Sequence, residues 1–112
     1  MESNCTKHEI VIGKINSGQI EKPLLTGHAF LNAGDDFYTV KLFMFPGQTY
    51  YLVKNREAKR YTVFAKHIRD ERGTRFQNPV GLAQLMEGVL CIEIYFPVLR
   101  SQMYLSLFPS AS

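Results

Sequence analysis

Tryptophan is absent from this 112-residue chain, cysteine occurs twice and histidine three times. Each scarcity removes a class of chemistry. Cys5 stands in a polar N-terminal stretch and Cys91 in an apolar run, with no Cys-x-x-Cys pair. The sequence therefore shows neither a disulfide framework nor a thiolate zinc site, and two reduced thiols in a cytoplasmic protein are expected. His8, His28 and His67 have none of the close spacings of a metal-ligand set, so no metal and no cofactor are expected. No Gly-x-x-x-x-Gly-Lys phosphate cradle occurs. No apolar run approaches the roughly 20 residues needed to span a bilayer. The start, Met1 to His8, lacks the basic-then-apolar pattern of a secretory leader. A soluble cytoplasmic protein without a membrane partner is expected.

Catalysis is poorly served as well. Cys91 with His28 or His67 is the one nucleophile–base combination the sequence offers. A thiol set among Leu90, Ile92 and Ile94 is held in its protonated, inert form by apolar surroundings. Asp35 and Asp36 are adjacent at a strand entry, where neighbouring side chains point to opposite faces, so they read as a solvated turn. The expectation is a protein without catalytic residues.

Hydrophobic residues make up 46% of the chain, too many for a disordered one, and Phe (8) and Tyr (6) are plentiful. No long amphipathic helix is visible. Instead, short alternating segments recur between turn signals. Glu9 to Ile15 alternates, and Asn16-Ser17-Gly18-Gln19 is a turn. Leu24 to Leu31 reads as a strand with Gly27 as its weak point. Phe37 to Met44 reads as the clearest strand, with Tyr38, Val40, Leu42 and Met44 on one face. Pro46-Gly47 supplies type II turn chemistry before a return over Thr49 to Lys54. Arg60 to Lys66 alternates again, and Thr74 to Gln77 extends briefly. Residues 79–86 fit neither period, leaving a helical turn and a strand both open. Val89 to Phe96 places Leu90, Ile92, Ile94 and Phe96 on one face, and Gln102 to Phe108 returns. The fold class predicted is all-β: an antiparallel small barrel or curled sheet built from hairpins, with at most one short helix. A single domain over residues 8–108 is expected, with tails at 1–7 and 109–112.

The hairpin beginning at Tyr38 echoes the one beginning at Leu90. Each has an apolar strand, a proline near the turn and a return containing tyrosine and leucine. Duplication and the shared grammar of any half-buried hairpin both account for this.

Charge carries the strongest functional hint. Eight of the thirteen Lys and Arg residues lie between Lys54 and Arg75: Lys54, Arg56, Lys59, Arg60, Lys66, Arg69, Arg72 and Arg75. Only Glu57, Asp70 and Glu71 oppose them there, and the rest of the chain is slightly acidic. A concentrated positive segment addresses polyanions. Tyr51 and Phe64, with Phe76 as a further ring, are expected on outer faces beside these cations. Cations tracking phosphates while bases stack on rings is how single-stranded nucleic acid is held. Nucleic-acid binding without much sequence preference is one reading. The other is a protein-interaction module that docks an acidic partner, or a homodimer, through the same face. Consecutive loops of a meander alternate ends, which would part the two halves of the basic segment. Long loops on a barrel would let them converge.

Asp36-Phe37-Tyr38-Thr39-Val40-Lys41-Leu42, followed by Pro46 and Tyr50-x-Leu52, resembles a domain-of-unknown-function family of small proteins. These are carried on proteobacterial conjugative plasmids and integrative elements. Tyr61 to Ala65, Gly88, Leu90 to Ile94, Pro97 and Met103 to Phe108 are similar to the later part of that pattern, so about half the chain is covered. The basic loop and residues 76–86 depart from it. The resemblance implies a mobile-element protein with a DNA-related or transfer-related role, and it brings no catalytic residues.

Overall fold

The computed structural model describes residues 5–57 and 59–110. Among the described residues the chain forms eight strands: β1 (Cys5–Asn16), β2 (Gln19–Asn32), β3 (Phe37–Leu42), β4 (Tyr50–Lys54), β5 (Arg60–Asp70), β6 (Gly73–Met86), β7 (Cys91–Phe96) and β8 (Ser101–Ser106). Each pairs antiparallel with the next, and β8 pairs with β1, so the meander closes into a barrel. Closure removes the unpaired edges of an open sheet. No helix of the described residues is long and apolar enough to cross a membrane.

Period-2 alternation fills the barrel. Ile10, Val40, Leu52, Val63, Ile92, Ile94 and Leu105 are essentially inaccessible to solvent. An eight-stranded barrel has an interior just wide enough for side chains, so large and small residues must be apportioned between strands. Here β2 and β6 contribute the small ones, Ala29 and Ala83. Gly27 is not a weak point: β2 runs through it, because a Cβ there would collide with the Lys41 carbonyl oxygen and Leu42 Cα on β3. A Cβ on Gly81 would lie 2.8 Å from the Tyr95 carbonyl oxygen on β7.

These paired constraints expose a tandem repeat. The strands measure 12, 14, 6 and 5 residues in β1–β4, and 11, 14, 6 and 6 in β5–β8. Gly27-x-Ala29-x-Leu31-x-x-Gly34 recurs as Gly81-x-Ala83-x-Leu85-x-x-Gly88, and Tyr51-Leu52 as Tyr104-Leu105. The bulges repeat too. The register slips where Ile10 faces Gly27 and Val11 faces Leu25, and again where Val63 faces Gly81 and Phe64 faces Pro79. Both seams between the halves match: Ile10 faces Leu105 and Val11 faces Tyr104, as Val63 faces Leu52 and Phe64 faces Tyr51. The echo between two hairpins thus extends over the whole barrel.

β-Bulges bend a strand, and these two pairs of long strands use theirs to leave the barrel and fold back over it. The β5–β6 arm lies across the outside of β4 and β3. His67 sits 4.5 Å from the Tyr51 ring, Phe76 sits 5.0 Å from Phe37, and Arg69 reaches Asp35 in the β2–β3 turn. The β1–β2 arm lies across β8 and β7, with its Ser17-Gly18 turn near the Gly88 carbonyl. Both turn residues have positive φ (52° and 78°), the geometry that matches the twist of a tight hairpin.

Several expectations change. Residues 79–86 are strand, paired with β5 and β7. Leu90 leaves the core face: it occupies the β6–β7 turn with φ 54° and is half exposed. Pairing begins at Cys5, inside the expected tail, and Ser110 donates its backbone N–H to the Lys7 carbonyl at 2.7 Å. Residues 1–4 and 111–112 of the two expected tails lie outside the described residues. The β1–β8 seam is reinforced by buried His8, whose Nδ1–H donates to the Ser106 carbonyl at 2.9 Å while Nε2 shares a hydrogen bond with the Thr6 hydroxyl at 3.0 Å. Cys5 and Cys91 form no disulfide.

Burial pushes the Tyr38 and Tyr61 phenols above their ordinary value, and the proximity of Tyr61 adds to the rise at Tyr38. Burial and then Glu93 raise Cys91, and burial, Glu93 and Cys91 raise Tyr104. All four are acids that hold their protons more tightly when folded. The stability this contributes is complete below the ordinary values, 9.0 for the thiol and 10.0 for the phenols, and is lost as pH rises through the raised ones. Thermal melts followed by circular dichroism should show a midpoint that falls progressively as pH rises above about 9. A midpoint constant across that window would contradict the burial of these groups.

Candidate binding groove

The eight cations of the basic segment divide into two groups. Lys54, Arg56, Lys59 and Arg60 surround the β4–β5 connection. Lys66, Arg69, Arg72 and Arg75 belong to the β5–β6 arm. A flat meander would send these to opposite ends. The arm's return instead carries its tip to the β2–β3 turn, which lies at the same end as the β4–β5 connection.

Acids lie among them. Lys59 pairs with Glu87 at 2.6 Å, Arg60 with Glu57 at 3.8 Å, Arg69 with Asp35 at 3.7 Å and Arg75 with Asp70 at 2.6 Å. These are surface pairs of small energetic weight, but they offset much of the local positive field. On the arm, Lys66, Ile68 and Arg75 share the outward face, by their pairing with Gln77, Arg75 and Ile68.

The rings expected to stack on bases are placed differently. Tyr51 and Phe64 are on the outer face of the barrel, as expected, but the arm covers them. Tyr51, Phe64 and Phe76 are each half-buried in one cluster with Phe37. Phe37 itself is 8% exposed although it points away from the barrel interior. This second small core is what fastens the arm. Edge-to-face packing of such rings adds about 0.5–1.5 kcal/mol per pair beyond area burial. Tyr51, Phe64 and Phe76 therefore hold structure, and their faces are largely taken.

An open groove lies on the next stretch of wall. Its cavity of about 660 Å³ is lined by Asn55, Arg56, Glu57, Arg60 and Tyr61 from the β4–β5 connection and β5, by Leu82, Ala83 and Gln84 from β6, and by Glu93, Tyr95 and Gln102 from β7 and β8. The register explains the assembly: Leu82 stands opposite Tyr95, and Tyr95 opposite Gln102, in one outward row. Leu82 is 61% exposed and Tyr95 36%. Gln84 donates through Nε2 to Glu93 Oε1 at 3.3 Å. Glu93 thus faces outward into this groove.

The groove combines two guanidinium groups with two carboxylates, the accessible Tyr95 ring, an apolar wall and three side-chain amides. That set can hold an anion and stack or wedge a planar group beside it. Arg56 and Arg60 were legible in the sequence. Tyr95 and Leu82 were not: Tyr95 alternates correctly for an outward face, but nothing in the linear order ties it to the β4–β5 connection. Among the described residues no group of three or more His, Cys, Asp or Glu side chains is placed to hold a metal ion. The geometry defines the class of the molecule as a closed eight-stranded antiparallel barrel of two repeats with a grooved flank. Comparison with family models, curated proteins and solved structures finds no match for the chain.

Proposed function

We propose that this is a non-enzymatic binding module that takes single-stranded nucleic acid, with little sequence preference, along the groove beside the β4–β5 connection. The observation carrying this reading is the placement of Arg56 and Arg60 on the rim of a groove that exposes the Tyr95 ring. The guanidinium groups hold phosphates, Tyr95 stacks a base, Leu82 supports it, and Gln84 and Gln102 offer adaptable hydrogen bonds. Lys54, Lys59, Lys66, Arg69, Arg72 and Arg75 supply a surrounding field. The acids among them keep the affinity modest. The resemblance to mobile-element proteins favours a role for such a module beside transferred DNA in the cytoplasm.

Fluorescence anisotropy with a labelled oligonucleotide tests this. Binding should weaken steeply with salt, with a log–log slope near −0.7 per phosphate contacted on a single strand. The Arg56→Ala/Arg60→Ala variant should flatten that slope by about 1.4, two phosphates' worth. Tyr95→Ala should cost about 1–3 kcal/mol, one stacked base, with the slope unchanged. No detectable binding at low salt removes the proposal.

A second reading, a protein-interaction or self-associating module, draws on the opposite end of the barrel. There the β3–β4 turn exposes Phe43 and Met44, the adjoining part of β2 exposes Leu24 and Leu25, and the β7–β8 turn exposes Val98 and Leu99. Large apolar side chains exposed at one end of a barrel can serve as an interface where they join into one patch. Light scattering coupled to size exclusion should report a dimer under this reading, and a strict monomer at high concentration argues against it.

A further inference from the structure

Phosphate contacts and a stacked base leave the Glu93 carboxylate of the groove without a task, and a carboxylate repels phosphates. Register defines its setting. Arg60 stands opposite Gln84, and Gln84 opposite Glu93, in an outward row beside the row that carries Leu82, Tyr95 and Gln102. The other acid of the groove, Glu57, is paired with Arg60 at 3.8 Å. Among the described residues Glu93 enters no ion pair. Its Oε1 accepts from the Gln84 amide at 3.3 Å, and its Oε2 accepts from no other described residue. That amide steadies the carboxylate and leaves acceptor capacity on both oxygens. Glu93 precedes Tyr95 by two positions on β7, so the two side chains rise from one face, roughly 7 Å apart along the strand. A planar group laid on the Tyr95 ring has this carboxylate at its edge.

We propose that the base held on Tyr95 is guanine, selected by the Glu93 carboxylate. This deepens the nucleic-acid reading of the groove and rests on it. Guanine alone among the bases carries two donors side by side on its pairing edge, N1–H and the N2 amino group. A carboxylate accepts both in a fork, the charge-assisted geometry it also forms with a guanidinium. Adenine and cytosine set one amino group beside a bare ring nitrogen, and thymine sets one N–H between two carbonyls. Each of these turns a lone pair on the second carboxylate oxygen, which can only accept. The preference is confined to this one nucleotide. Along the rest of the groove the strand is held by its phosphates, which carry no sequence information.

The probe is a labelled thymidylate strand of about 12 nucleotides. One central thymine is replaced in turn by guanine, adenine, cytosine or hypoxanthine, and binding to the intact chain is followed by anisotropy at low salt. The single guanine should tighten binding about fivefold or more. Hypoxanthine keeps N1–H and lacks the N2 amino group, so it should lose most of that gain, as should adenine and cytosine. In a Glu93→Gln chain the guanine and thymine strands should bind alike, because the new amide sets a donor against one of the two guanine donors. Equal affinity for guanine and thymine strands in the intact chain overturns the proposal and leaves the groove reading standing. So does a gain that hypoxanthine or adenine reproduces, or one that survives in a folded Glu93→Gln chain. Should that variant fail to fold, the hypoxanthine strand still decides with the parent chain alone. Failure of every strand to bind removes the groove reading and this proposal together.

Discussion

Gly27→Ala should be among the most damaging single-methyl changes available in this chain, costing about 3 kcal/mol or more of folding stability. The new carbon meets the Lys41 carbonyl oxygen and Leu42 Cα, and these are backbone atoms of a paired strand that cannot swing aside. Overpacking normally costs about 1–3 kcal/mol because side chains give way; here the ladder between β2 and β3 must move. For a domain whose whole stability is about 5–15 kcal/mol, the loss is large. Gly81→Ala should behave alike, since its Cβ would press on the Tyr95 carbonyl at 2.8 Å. Gly88→Ala is the control, with no atom within 4 Å, and should stay within about 0.5 kcal/mol of the parent. Urea unfolding followed by circular dichroism measures all three. A Gly27→Ala midpoint equal to that of Gly88→Ala would mean that the two strands do not approach as described.

Phe37→Ala is expected to cost about 3 kcal/mol and to do so locally. Phe37 is 8% exposed, outside the barrel, and packs against Tyr51 and Phe76 at ring separations of 6.2 and 5.0 Å. Removing it leaves the arm anchored by the exposed Arg69–Asp35 pair and by what remains of the cluster. Hydrogen exchange should therefore accelerate first in the amides of residues 66–77, ahead of those in β7 and β8. Arg69→Ala should cost under about 1 kcal/mol, as exposed ion pairs do. If Phe37→Ala accelerated exchange uniformly through the barrel, the arm would have no separate stability and the second core would be an extension of the first.

Much of this architecture was legible in the residue order. Alternation at Tyr38-Val40-Leu42 and at Ile92-Ile94-Phe96 identified the inner faces, because side-chain period is a local property of a strand. Turn chemistry at Ser17-Gly18 and Pro46-Gly47 marked the hairpins for the same reason. The repeat was half visible: two hairpins echo each other, whereas Gly27-x-Ala29 and Gly81-x-Ala83 gain their meaning only once β2 and β6 are seen to face β3 and β7 at close range. Residues 79–86 resisted assignment because a bulge and a glycine interrupt the alternation there.

The site was read less completely. Clustering of Arg56 and Arg60 in the sequence becomes proximity in space because they flank one connection. Tyr51 and Phe64 look identical, in the linear order, to exposed stacking rings. Outward orientation is a matter of parity, but whether an outward ring is open or roofed depends on where a long hairpin bends, and the bend lies at a bulge some residues away. Tyr95 and Leu82 enter the groove through pairing of β6 with β7, a relation that distant strands settle between them.

The amino-acid order by itself determined most of the strands, most inner and outer faces, and the concentration of positive charge, since each follows from neighbours a few residues apart. Tertiary structure decided closure of the barrel, the return of both arms, and which rings remain accessible. Those depend on contacts between segments far apart in the chain, and a register slip of one residue at Gly27 or Gly81 is enough to redirect them.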